Sequence, residues 1–204
     1  MTRRWRERAP ALESLFVGAY VLLGLRLGCV PIADNSMFVH LRTGIDMAGG
    51  GGIPRADPYS FTAAGEPWVV QSWLASWAYG LAERTAGVEG VVIGQGLLMA
   101  VLAGLVAGLA RAGSPLRTAL AGGIAVGLGA TYWAPRPLLF GLVAFALTVT
   151  VVERGASPLW LLPIGWVWVN SHGSFPLGLA WVLLRAVGAG ADGRRVPGPR
   201  RRRR

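Results

Sequence analysis

The chain has 204 residues, of which 53% are apolar and only 15% charged. Soluble globular domains carry roughly 25% charged residues, so the composition excludes that class and, at this length, fits about one membrane-embedded domain. The formal charge of +10 rests on arginine alone; with abundant Ala, Gly and Pro this reflects in part a GC-rich codon bias, so no nucleic-acid partner is expected. The lone Cys29 excludes an internal disulfide.

Taken in order, residues 1–10 (MTRRWRERAP) form a basic lead. The apolar run 11–33 follows, interrupted only by Glu13 and Arg26. It is long for a secretory signal and more apolar runs follow, so it is read as an uncleaved first span. An arginine three residues before Cys29 argues against a lipoprotein cleavage site. Arg26 is costly inside a span, which makes it a functional candidate unless it snorkels to the interface.

Residues 34–70 form a polar loop with three aspartates, one histidine, two arginines and many turn-forming Gly and Pro. The four-glycine run 49–52 lacks the phosphate-loop pattern and reads as a turn. In 71–83, Trp73, Leu74, Trp77 and Leu81 recur at helical spacing among polar residues, which predicts an amphipathic helix in the membrane interface.

Further apolar runs cover 88–110, 116–133, 137–152 and 158–189. A span needs about 17–25 residues, so the last run is too long for one. The polar cluster Asn170–Ser174 divides it into two short spans, or makes it one re-entrant segment. The tail 192–204 is Pro, Gly and Arg, too polar to bury a core, and is expected to be disordered and cytoplasmic. Its arginines suit anionic lipid or a topological anchor.

The fold expected is therefore all-α: a polytopic transmembrane bundle of about six spans over 11–191, with an outer loop and an interfacial helix. Arginine-rich termini and Arg111 and Arg117 between spans place both ends in the cytoplasm by the positive-inside rule. That topology carries the 34–70 loop, Arg136 and the Asn170–Ser174 turn to the outer face. There is no internal repeat of the kind transporters use.

On that face Asp34 and Asp57 are the candidate catalytic carboxylates, since a carboxylate can take a proton from an acceptor hydroxyl. His40, Arg42, Arg136, Asn170 and His172 are the candidate substrate-binding residues; the arginine fork suits phosphate. Two histidines and one cysteine make no metal set at usual spacings. Carboxylates alone can hold a divalent ion near phosphate, but nothing here calls for one, so no metal and no cofactor is expected.

The segments DNSMFVHLRTG, GGIPRADPYSFTAAGEPWVVQSWL, APRPLLFGLVAFAL and LWLLPIGWVWVNSHGSFPLGL resemble bacterial multi-pass membrane proteins similar to the C-type glycosyltransferases, which use polyprenyl-phosphate sugars. The resemblance runs from about Asp34 to Leu184. It implies the bacterial plasma membrane, a polyprenyl-phosphate sugar as partner beside membrane lipid, and transfer of that sugar at the outer face. It also implies that Asp34, with Asp57 second, is the acidic residue that binds or activates the acceptor. Many relatives carry an aspartate where Ser36 stands, and relatives are longer, so the chain reads as a shortened member. The competing expectation is a non-catalytic subunit or truncated remnant that keeps the fold and binds lipid or partner helices.

Overall fold

A computed structural model describes residues 11–110, 113–134 and 136–193. The basic lead, Arg111 and the tail from Arg194 onward lie outside the described residues. Among the described residues there are seven α-helices and no strand: α1 (Leu12–Gly28), α2 (Asn35–Asp46), α3 (Trp73–Leu109), α4 (Pro115–Ala130), α5 (Leu138–Glu153), α6 (Leu161–Ser171) and α7 (Phe175–Ala191). An isolated bridge joins Ala56 to Pro67.

Every predicted apolar run becomes a helix, but their lengths differ. Among the described residues only α3 is long and apolar enough to cross a membrane by length and composition; α5 and α7 are apolar but shorter. The run 158–189 does divide, into a short 3-10 turn with α6 and then α7, with His172, Gly173 and Ser174 between the helices.

α3 is broken within. Ala86 has φ −141° and Gly87 has φ 66°. A side chain strongly disfavours the positive φ, so glycine is what permits the break. It separates 73–85, which contains most of the 71–83 stretch read from the sequence as an interfacial helix, from the apolar stretch 88–109. In the first part Ala75, Ser76, Tyr79 and Gly80 face inward, while Trp77 and Leu81 are exposed.

The segment 34–70 is not loop throughout, as the sequence reading has it, because it opens with α2. Two causes are visible. The Asp34 side chain accepts a hydrogen bond from the Ser36 N–H, capping the helix start. Met37, Leu41 and Gly44 recur at helical spacing and are buried. Met37 and Leu41 pack with Tyr79 and Val91 of α3 in one apolar cluster. Two glycines let the helices touch backbone to backbone: a Cβ on Gly44 would stand 1.8 Å from the Ser76 carbonyl oxygen, and one on Gly80 would stand 1.9 Å from the Gly44 carbonyl carbon.

α1 and the second part of α3 run antiparallel. Gly28 meets Gly96, Gly24 meets Met99 and Ala103, and Val21 meets Gly104. Small residues of this kind let helix backbones approach closely. Tyr20 of α1 fastens α4 by donating to the Ala119 carbonyl at 2.6 Å. The main core, with Met99, Leu102, Ala103, Val126, Trp133, Leu139 and Ala146, joins α3, α4 and α5.

The outward surface is also apolar. Leu116, Leu120, Ile124 and Leu128 form a stripe along α4, each 59–68% exposed. Ile93, Leu97 and Val101 do the same on α3, and Leu179, Leu183 and Val187 on α7. Apolar patches on this scale mark surfaces that meet lipid or protein rather than water.

Candidate functional site

Three chain segments meet at one end of the bundle: the start of α2, the start of α5, and the turn between α6 and α7. Asp34 sits at the N-cap of α2. Arg136 lies two residues ahead of α5, and its guanidinium reaches the Asp34 carboxylate at 2.5 Å. Asp34 also accepts from the Ser36 hydroxyl at 2.7 Å and from the Ser36 N–H at 2.9 Å. Those bonds to Ser36, and then Arg136, hold its carboxyl below the usual range. Ser36 thus holds the Asp34 carboxylate from one side and Arg136 from the other.

His40 lies further along α2. Its Nδ1 is 3.1 Å from the Ser76 Oγ, across the Gly44–Gly80 contact. Ser76 is fully buried. Burial lowers the pKa of His40; the charge on Asp34 raises it, and those of His172 and Arg136 lower it further. The four groups therefore share one electrostatic neighbourhood.

His172 is held by its own turn. Its Nδ1 accepts from the Ser174 N–H at 3.1 Å and stands 2.9 Å from the Ser174 Oγ. Ser174 Oγ in turn accepts from the Trp168 indole N–H at 3.0 Å. With Nδ1 an acceptor, the neutral ring carries its proton on Nε2. Burial lowers the pKa of His172 also.

The other expected residues stand apart. Arg42 pairs with Asp46 at 3.2 Å on an exposed face of α2. Residues two apart on a helix do not share a face, so His40 inside means Arg42 outside. Tyr59 also donates to Asp46, at 2.9 Å. Asp57 folds its own loop: it accepts from the N–H groups of Tyr59 and Ser60 and from the Ser60 hydroxyl. Those bonds, the Ser60 hydroxyl foremost, lower its pKa. Asn170 fastens the rim of the site, accepting from the Trp73 indole N–H at 2.9 Å and donating to the Trp166 carbonyl at 2.7 Å.

Sequence reasoning misses Ser76 and Ser174, the serines that hold the two histidines. Ser174 lies in a turn already singled out by its polarity. Ser76 carries no signal beyond its place on the inward face of α3. Among the described residues no group of three or more His, Cys, Asp or Glu is placed to hold a metal ion.

No protein-family model, no curated protein and no solved structure matches the chain.

The chemistry on offer is that of anion and proton handling. Arg136 offers a planar fork to an anionic oxygen. Neutral His172 offers Nε2–H as a donor. Neutral His40 offers one nitrogen to Ser76 and keeps the other for a guest.

Proposed function

We propose that the chain is a multi-pass membrane protein of the bacterial plasma membrane. In this reading α1, 88–109, α4, α5, α6 and α7 are its six spans, and the Asp34 end faces outward. The apolar outer stripes on α3, α4 and α7 support it, because water-facing helices do not carry exposed leucine on every turn. With the arginine-rich ends cytoplasmic, the Asp34–Arg136–His40–His172 group lies at the outer surface.

The function proposed is transfer of a sugar from a polyprenyl-phosphate donor to an acceptor hydroxyl at that surface. The observation that carries it is the meeting of Asp34, Arg136, His40 and His172 from three separate segments. Arg136 holds the donor phosphate, exchanging its contact with Asp34 for the phosphate oxygens. His40 keeps its proton on Nδ1, donated to Ser76, and takes the acceptor proton on Nε2. The acceptor oxygen bonds to the sugar carbon as the bond from that carbon to the phosphate oxygen breaks, and the polyprenyl phosphate leaves with the electron pair. Asp34 orients the acceptor and stabilises the imidazolium. Tyr79 Oη, one turn from Ser76, and Ser171 Oγ, beside His172, are buried with no partner among the described residues. Buried hydroxyls are rarely left unpaired, which suits a polar guest nearby.

The test is sugar transfer in vesicles holding the purified protein, with a labelled polyprenyl-phosphate sugar and a lipid-linked or peptide acceptor. Transfer by the wild type that is lost in His40→Gln supports the reading, and no transfer with any donor overturns it. One observation favours the non-catalytic alternative: Asp34 and Arg136 neutralise each other, and each histidine already has a serine. A cluster satisfied from within also serves as a clasp joining α2, α5 and the α6–α7 turn.

A further inference from the structure

The opposite end of the bundle holds a second feature. Along α5 and α6 runs a groove of about 640 Å³, lined by Leu98, Val143, Leu147, Val151, Ile164 and Val167. Its inner end is Phe140, which packs edge-on against Tyr79 beneath the polar site. At its other, exposed end it is lined by Arg154, Ala156 and Trp160. From Phe140 to Arg154 it follows α5 for about 21 Å at the helical rise. That exceeds the half-thickness of a bilayer core, about 15 Å.

The charges at the exposed end are unequal. Glu153 is paired with Arg185 of α7 at 2.9 Å. Arg154 has no carboxylate partner among the described residues, and its guanidinium lies over Gly108, near the C-terminal end of α3. Arg154 and Trp160 are exposed side by side at the end of an apolar channel. An unpaired guanidinium at one end of an aliphatic trough matches an anionic headgroup carrying an acyl chain. A tryptophan at the same level suits the headgroup boundary.

We propose that this groove binds one anionic phospholipid, its phosphate on Arg154 and one acyl chain laid along α5 toward Phe140. The site rests on the membrane reading above. Its phosphate end is separate from the Asp34 group, which lies at the other end of α5. A bound lipid there would brace α5 against α6, the two helices that deliver Arg136 and His172.

The test uses the full chain in vesicles of phosphatidylcholine with or without 20% phosphatidylglycerol, a fraction of roughly the order that gives a surface its negative potential. Vesicle flotation is read first, then lipid retained on the detergent-extracted protein by native mass spectrometry. The wild type is expected to retain one phosphatidylglycerol in preference to phosphatidylcholine. Arg154→Gln should cut that preference about fivefold, the scale of one basic residue at a membrane surface. Arg154→Lys should keep most of it, and Arg117→Gln, on α4 away from the groove, all of it. Ala156→Trp, which fills the exposed mouth and leaves Arg154 in place, should lower retention of both lipids and serves if Arg154→Gln does not fold. Equal retention of the two lipids by a wild type that floats would overturn the lipid site alone. So would an undiminished preference in Arg154→Gln, or a lipid-free dimer closed over the groove. A wild type that fails to float would overturn the membrane reading and this site with it.

Discussion

Asp34 and Arg136 meet at 2.5 Å although the whole of α2, α3 and α4 lies between them in the chain. The contact ties the cap of α2 to the start of α5. If Arg136 is the donor-phosphate ligand, Arg136→Lys should raise the apparent donor KM by more than its retained charge implies, because an ammonium loses the bidentate fork. Arg42→Lys should leave transfer unchanged, since Arg42 pairs outward with Asp46. Equal effects of the two substitutions in a donor titration would remove Arg136 from that role.

His40→Gln is expected to reduce kcat by about 10²–10⁴-fold, the usual contribution of a general base, with the protein still inserted and folded. Asp34→Asn should lower kcat as well, through the lost orientation of acceptor and imidazolium. Full turnover in His40→Gln would shift the proton to another group.

Gly44→Ala should loosen the α2–α3 crossing. The added methyl meets backbone at Ser76, which cannot swing aside as a side chain can. Overpacking of this kind costs about 1–3 kcal/mol, and here it would also part His40 from Ser76. A melting curve in detergent checks the first effect. Ser76→Ala, which removes only the hydroxyl bonded to His40, should cost about 0.5–1.5 kcal/mol. An unchanged melting temperature in Gly44→Ala would show that the helices do not pack this closely.

Stability should depend on pH through the two histidines. Burial lowers the pKa of both below the ordinary 6.5. The unfolded chain then binds more protons than the folded one between the folded pKa and 6.5, so acid favours unfolding there. The melting temperature should be level above about pH 7 and fall as pH drops below about 6.5, with a shallower fall in His40→Gln. Asp34 and Asp57, whose pKa values are lowered, act at more acid pH: their contribution is present above 3.8 and lost below it. A profile that rises on acidification would contradict the burial of both rings.

Topology is open to cysteine labelling in a Cys29→Ser background. A cysteine at Ala64, in the exposed loop after α2, should react from outside intact cells. One at Ala191, at the end of α7, should react only after permeabilisation. The reverse pattern would place the Asp34 group in the cytoplasm.

The positions of α1 and of α3 to α7 are legible in the apolar runs and the 71–83 pattern, and so is the division of 158–189, because Asn170–Ser174 interrupts that run with residues that prefer turns. Asp34, His40, Arg136 and His172 stand out as polar residues in an apolar chain. Less legible is α2, whose start is a cap on Ser36 and whose stability comes from Met37 and Leu41 packing on α3. Twelve residues of which half are polar do not declare a helix when its buried face is so narrow. Arg42 stands near His40 in sequence, but helical geometry sends the two to different faces.

By itself the sequence determined the class: an all-helical chain of long apolar runs, with its polar chemistry concentrated in a few short segments, because composition and periodicity are local properties. Which of those polar residues meet was decided only by tertiary structure. Arg136 reaches Asp34 because antiparallel packing returns α5 to the end where α2 begins. His40 reaches Ser76 because Gly44 and Gly80 leave the backbones nothing to hold them apart. Such contacts depend on backbone separation and helix rotation between segments distant in the chain, and no local pattern of residues encodes them.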